Sequence, residues 1–111
     1  MSDHYHDSKD LGLLKEMRKL APADFDAWLN LNNIVGREGG QLTPKIRELI
    51  AVAVACTTQC PYCIEVHSKG ARSSGATREE VVEAAFVAAA LRAGGAATHG
   101  AMALKFFDGA E

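Results

Sequence analysis

The chain has 111 residues, enough for one domain and too few for two. Hydrophobic residues make up 48%, charged residues 23%, and the formal net charge is −2, which is the balance of a globular protein and not of a disordered or collagen-like one. The longest apolar runs, residues 49–56 and 84–91, fall well short of the about 20 residues a bilayer crossing needs, and no Lys/Arg cluster offers itself to nucleic-acid phosphates. The polar opening MSDHYHDSKD lacks the apolar stretch of a secretory signal, so a cytoplasmic location is expected. Nineteen residues are alanine and only seven are aromatic. Alanine is the strongest helix former and fills little volume, which predicts an all-α chain that buries surface between subunits as a homo-oligomer.

Residues 1–8 read as a polar, frayed lead-in, with His4 and His6 as a weak metal pair. In the next segment, residues 11–20, Leu13, Leu14, Met17 and Leu20 recur at helical spacing. Pro22 suits the first turn of a second helix carrying Phe25, Trp28, Leu29 and Asn32, and Gly36 with Gly39-Gly40 closes it. Thr43-Pro44 is an N-cap followed by a first-turn proline. The apolar stretch that follows, residues 46–56, alternates like a buried strand over residues 51–55, but its start and its alanines favour a buried helix. Pro61 cannot continue that helix, so a new one begins at Cys60-Pro61 and runs to about Ser74, with Gly75 as its stop. Thr77-Arg78-Glu79-Glu80 is a capping box opening a helix whose expected inward face is Val81, Val82, Ala85, Phe86, Ala89 and Ala90. Gly94-Gly95 should interrupt it, leaving residues 96–107 as a last helix and about six in all.

Cys60-Pro61-Tyr62-Cys63 is the stretch with chemistry in it. Two cysteines three apart at a helix start can close a disulfide, and free N–H groups there stabilise a thiolate, most of all on Cys60. Taken alone the spacing admits a redox dithiol, part of a metal site, or chance. His67 lies one turn beyond Cys63 on the same helical face, where an imidazole can take the thiol proton. Glu48 precedes an apolar stripe of Ala51, Val52, Ala55 and Cys56; it is either a partly desolvated carboxylate suited to a proton relay or an outward acid at a helix start. Cys56, Cys60, Cys63 and His67 are also spaced like zinc ligands, although Pro61 divides the first from the rest, and Cys56 reads more simply as a small buried hydrophobe. Glu65 and Lys69 make an i,i+4 pair without chemistry, and His99 reads as a packed or interfacial histidine.

Glu48, eleven residues, Cys60-x-x-Cys63, three residues and His67 together resemble the signature of the AhpD-like (alkyl hydroperoxidase D) group in the carboxymuconolactone decarboxylase superfamily. The surrounding RELIAVAVACTTQCPYCIEVHSKGARSSGATREEVVEA and the later HGAMAL resemble it too, so the likeness covers residues 20–107 or so. The resemblance implies an all-helical oligomer, a trimer or hexamer, and a thiol-dependent reductase of hydroperoxides or disulfides that needs no metal or haem. It implies Cys63 as the thiol that attacks the peroxide, Cys60 as the one that resolves it, and Glu48 with His67 as the proton relay. A dihydrolipoyl group or a thioredoxin-like protein would return the electrons. The sequence departs from the prototype at Tyr62, where the prototype has histidine. Decarboxylases of the superfamily lack the cysteine pair; an acid–base enzyme on a small lactone and a zinc protein are the alternatives.

Overall fold

The computed structural model describes residues 5–109, so His4 of the suggested metal pair lies outside it. Among the described residues there are five α-helices, one 3₁₀ helix and no strand. A 3₁₀ helix, Ser8–Leu13, leads into α1 (Leu14–Leu20); α2 (Pro22–Asn32), α3 (Pro44–Thr58), α4 (Pro61–Ser73) and α5 (Arg78–Asp108) follow.

The punctuation in the sequence sets most boundaries. Thr43 caps α3 by accepting the Ile46 amide, with Pro44 in the first turn where its missing N–H costs nothing. The alternating stretch 51–55 is therefore helix, with Val52 and Ala55 buried. Gln59 adopts a left-handed conformation (φ 58°) that ends α3. Thr77 and Glu80 close a reciprocal capping box at the head of α5.

Three expectations need correction. The described end of the lead-in is not frayed: the Asp7 carboxylate accepts the Lys9 amide, and Asp10 accepts the Asp7 amide. Gly94-Gly95 does not break α5, which continues for 31 residues. Glycine weakens a helix by about 1 kcal/mol but still donates its N–H, so alanine-rich flanks carry the helix through, as they could not through proline. The inward face of α5 is also rotated. Ala88 is buried and Val81, Ala84 and Ala85 half-buried, while Val82, Phe86, Ala89 and Ala90 are exposed, Phe86 by 71%. Three of the four inward residues are alanine, so little side-chain bulk stands on the covered face of α5, which packs on α3.

α3 is the centre of the fold, packed against α4 on one side and α5 on the other. Lys45 and Glu80 pair at 2.9 Å where α3 meets α5, but a partly solvated ion pair adds little to stability, so apolar contact holds the helices together. α1 and α2 pack on each other, with Arg18 and Asp26 paired at 3.1 Å, and the 3₁₀ helix touches α4. Beyond Leu91, α5 is exposed along nearly its whole length. It is long and apolar enough, by length and composition, to cross a membrane, with Arg92 and His99 within it.

Candidate active site

The junction of α3 and α4 gathers the residues the sequence singles out. Cys60 is the N-cap of α4, its Sγ accepting the Cys63 amide at 3.2 Å. The two sulfurs are at bonding distance, with Cα atoms 5.3 Å apart. Cys63 and His67, one turn apart on α4, both line an open cleft of about 360 Å³; Cys60 does not line it. Its walls are otherwise mostly apolar, among them Ile50 and Val54 of α3 and Ile34, Val35 and Leu42 of the segment between α2 and α3.

Glu48 reaches across from α3. Its Oε2 lies 2.8 Å from His67 Nδ1, with the two side chains only 12% and 15% exposed. A carboxylate accepts, so Nδ1–H donates, and Nε2 of the neutral ring is left free to take a proton. Of the two orientations open to Glu48, the structure has the inward one.

Cys56 corrects an expectation: it is exposed and unpaired, not buried. Residues 52 and 55 form the buried stripe of α3, which leaves position 56 turned outward. It does not join the other two cysteines, and among the described residues no three His, Cys, Asp or Glu side chains come together as metal ligands. His99 is exposed, not packed within the chain's described core; its Nδ1 donates to the Gly95 carbonyl of its own helix at 2.7 Å. Glu65 and Lys69 pair at 2.9 Å on the outer side of α4.

Sequence reasoning missed two neighbours of the site. Arg47 donates from Nε to the Leu42 carbonyl (3.2 Å) and from Nη1 to the Ile34 carbonyl (2.7 Å), fastening the segment that walls the cleft. A cation in the first turn of a helix opposes the macrodipole, and that was the available signal that it serves another purpose. The other is a contact on Tyr62, inside the dithiol motif. Its hydroxyl donates to Asp10 Oδ2 at 2.7 Å, and the His6 ring meets it edge-on at 4.6 Å, so the N-terminal segment is latched to the turn that carries the cysteines.

The latch titrates in a defined direction. The Tyr62 hydrogen bond, then the Asp7 amide, hold the Asp10 carboxyl below its ordinary 3.8, and the same bond raises Tyr62 above its ordinary 10.0. A depressed acid stabilises the fold above its unfolded value and loses that as pH falls through the folded one. A raised phenol stabilises below its unfolded value and loses that as pH rises through the folded one. The latch is thus intact between those limits. In Tyr5→Phe protein, the phenolate absorbance of Tyr62 should rise only above pH 10.0, and Asp10→Asn should bring it down toward that value.

Comparison with known proteins places this arrangement. Residues 22–106 match the carboxymuconolactone decarboxylase family. The chain belongs to that family. "Uncharacterized protein 4 in cox locus" of Paracoccus denitrificans is 52% identical over 95 residues, covering 86% of this chain and 85% of that one. A crystal structure of a carboxymuconolactone decarboxylase family protein from Legionella pneumophila is 34% identical with a TM-score of 0.69, covering 91% of this chain and 90% of the other. A Methanobacterium thermoautotrophicum protein of known structure is 33% identical with a TM-score of 0.68, over 81% of this chain and 96% of its own. Carboxymuconolactone decarboxylase family members are enzymes in general, and in this one the half-buried Glu48–His67 pair and the Cys60–Cys63 pair lie at one helix junction.

Proposed function

We propose that the protein is an AhpD-like dithiol peroxidase, reducing organic hydroperoxides through Cys60 and Cys63. The observation that carries this is the cleft itself: Cys63 and His67 line it together, while Cys60 sits behind at disulfide distance. His67 Nε2 takes the Cys63 proton, and Glu48 stabilises the imidazolium that results. The Cys63 thiolate attacks the outer oxygen of ROOH. The S–O bond forms as the O–O bond breaks, and the departing RO⁻ takes the proton from His67 to give ROH. The Cys60 thiol then displaces water from the Cys63 sulfenic acid, closing the disulfide. A dithiol, dihydrolipoyl or on a thioredoxin-like protein, returns two electrons and two protons by exchange. Such a cycle suits the reducing cytoplasm. Reduced protein given one equivalent of tert-butyl hydroperoxide should release one equivalent of tert-butanol per chain. No alcohol would overturn the proposal.

A second reading rests on the Glu48–His67 pair, which is an acid–base device whether or not the cysteines are reduced. It makes the protein a decarboxylase-like enzyme on a small lactone. Decarboxylation of carboxymuconolactone by Cys60→Ser/Cys63→Ser protein would support it; the dithiol proposal expects none.

The protein should work as a homo-oligomer. Its accessible surface is 8739 Å², whereas a compact monomer of 11.8 kDa exposes about 5,900 Å². Its radius of gyration is 18.1 Å against about 13 Å for a compact chain of this length. The excess of about 2,800 Å² exceeds what a standard protein–protein interface removes in total. Much of it lies on distal α5, where Leu91, Met102, Leu104, Phe106 and Phe107 are 52–80% exposed. Copies of the same chain are the occupants proposed for it. Native mass spectrometry should give a trimer or hexamer; a monomer, or a protein recovered only in detergent, would contradict this.

A further inference from the structure

Gly70 lies three residues beyond His67, inside α4, where nothing about the helix asks for glycine. Alanine is the better helix residue at an interior position, so a glycine there needs a cause outside the helix. The Glu48 side chain supplies one. A Cβ on Gly70 would fall 2.7 Å from both Cδ and Oε2 of Glu48 and 2.9 Å from Oε1, closer than real Cβ atoms come to other heavy atoms. The whole carboxylate lies against the bare α-carbon, and Oε2 is the oxygen held on His67 Nδ1.

We propose that Gly70 is a positioning residue for proton transfer: the space left by its missing side chain is the seat that fixes the Glu48 carboxylate on His67. This rests on the dithiol-peroxidase reading and deepens it. The carboxylate is the mobile end of its chain, so a methyl group at position 70 displaces it more readily than it parts α3 from α4. Displacement breaks the hydrogen bond that sets the imidazole tautomer. The cations flanking Glu48 in sequence are engaged elsewhere and give the carboxylate no second hold. Arg47 is held on the Leu42 and Ile34 carbonyls, and Lys45 is paired with Glu80 of α5.

The test reads stability and reactivity separately, on reduced full-length protein. Gly70→Ala should unfold at the same temperature as wild type or higher, because alanine favours the helix. Its rate of thiol oxidation by cumene hydroperoxide should nevertheless fall at least about tenfold at pH 7. The deficit should close as pH rises and Cys63 ionises unaided. In Glu48→Asp the carboxylate is withdrawn by one methylene, which makes room for a methyl group at position 70. Adding Gly70→Ala to that variant should therefore raise activity, or leave it unchanged, where the same change lowers it in wild type. A folded Gly70→Ala protein with the wild-type pH profile would overturn the seat. If Gly70→Ala does not fold, the double variant decides: activity at or above that of Glu48→Asp supports the seat, and a further loss overturns it. Glu48→Gln separates the two levels. If it slows oxidation and Gly70→Ala does not, only the seat fails; if Glu48→Gln is also without effect, the relay fails and the seat with it.

Discussion

Cys63→Ser protein should consume organic hydroperoxide at less than about a thousandth of the wild-type rate, since a serine hydroxyl does not attack the O–O bond and no other sulfur lines the cleft. Cys60→Ser should fail at a different step. Its Cys63 can still react once, but the sulfenic acid then has no neighbour to resolve it, so turnover stops and a dimedone probe should label Cys63 in proportion to peroxide added. The asymmetry matters because the two thiols are favoured by different physics. Cys60 is the N-cap and has the helix-terminal position that stabilises a thiolate, whereas Cys63 has the cleft and a histidine one turn away. Access should decide, since a stabilised thiolate outside the cleft meets no substrate there. Mass spectrometry that located the dimedone adduct on Cys60, in Cys63→Ser protein that still turned over, would reverse the assignment.

The second large effect belongs to the relay. His67→Asn or Glu48→Gln should slow oxidation of the dithiol about a hundredfold at neutral pH, the usual scale for losing a positioned acid–base group. The loss should shrink as pH passes the ordinary thiol range, about 8.5, because Cys63 then sheds its proton without help. Glu48 acts only through the imidazole it holds at 2.8 Å, so the double variant should be no slower than His67→Asn alone. A stopped-flow rate–pH series on the four proteins measures all of this. Rate losses that multiply in the double variant would mean that Glu48 has a role of its own, away from His67.

Local chemistry made much of the fold and the site legible. Thr43-Pro44, Pro61 and the Thr77–Glu80 box act within one turn of themselves, so the starts of α3, α4 and α5 can be read without tertiary knowledge. Cys63 and His67 lie on one helix, so their shared face follows from helical geometry. What escaped depends on neighbours distant in sequence. The face that α5 turns inward is the one with little side-chain bulk to set against α3, which hydrophobicity alone does not encode when valine and phenylalanine end up outside. Gly94-Gly95 looks like an interruption only if glycine is weighed without the alanines on either side. Arg47 and Gly70 have purposes set by carbonyls and a carboxylate from other segments, and the Tyr62–Asp10 bond spans 52 positions.

The central claim is that Cys60 and Cys63 form a dithiol that a hydroperoxide oxidises. It is tested most directly by counting free thiols in reduced, chelator-treated protein before and after a small excess of cumene hydroperoxide. The count should fall from three per chain to one, with exposed Cys56 remaining, and return to three on addition of a dithiol. Cys63→Ser protein should show no such loss. An unchanged count of three in folded wild-type protein would contradict the account and turn attention to the Glu48–His67 pair as an acid–base device.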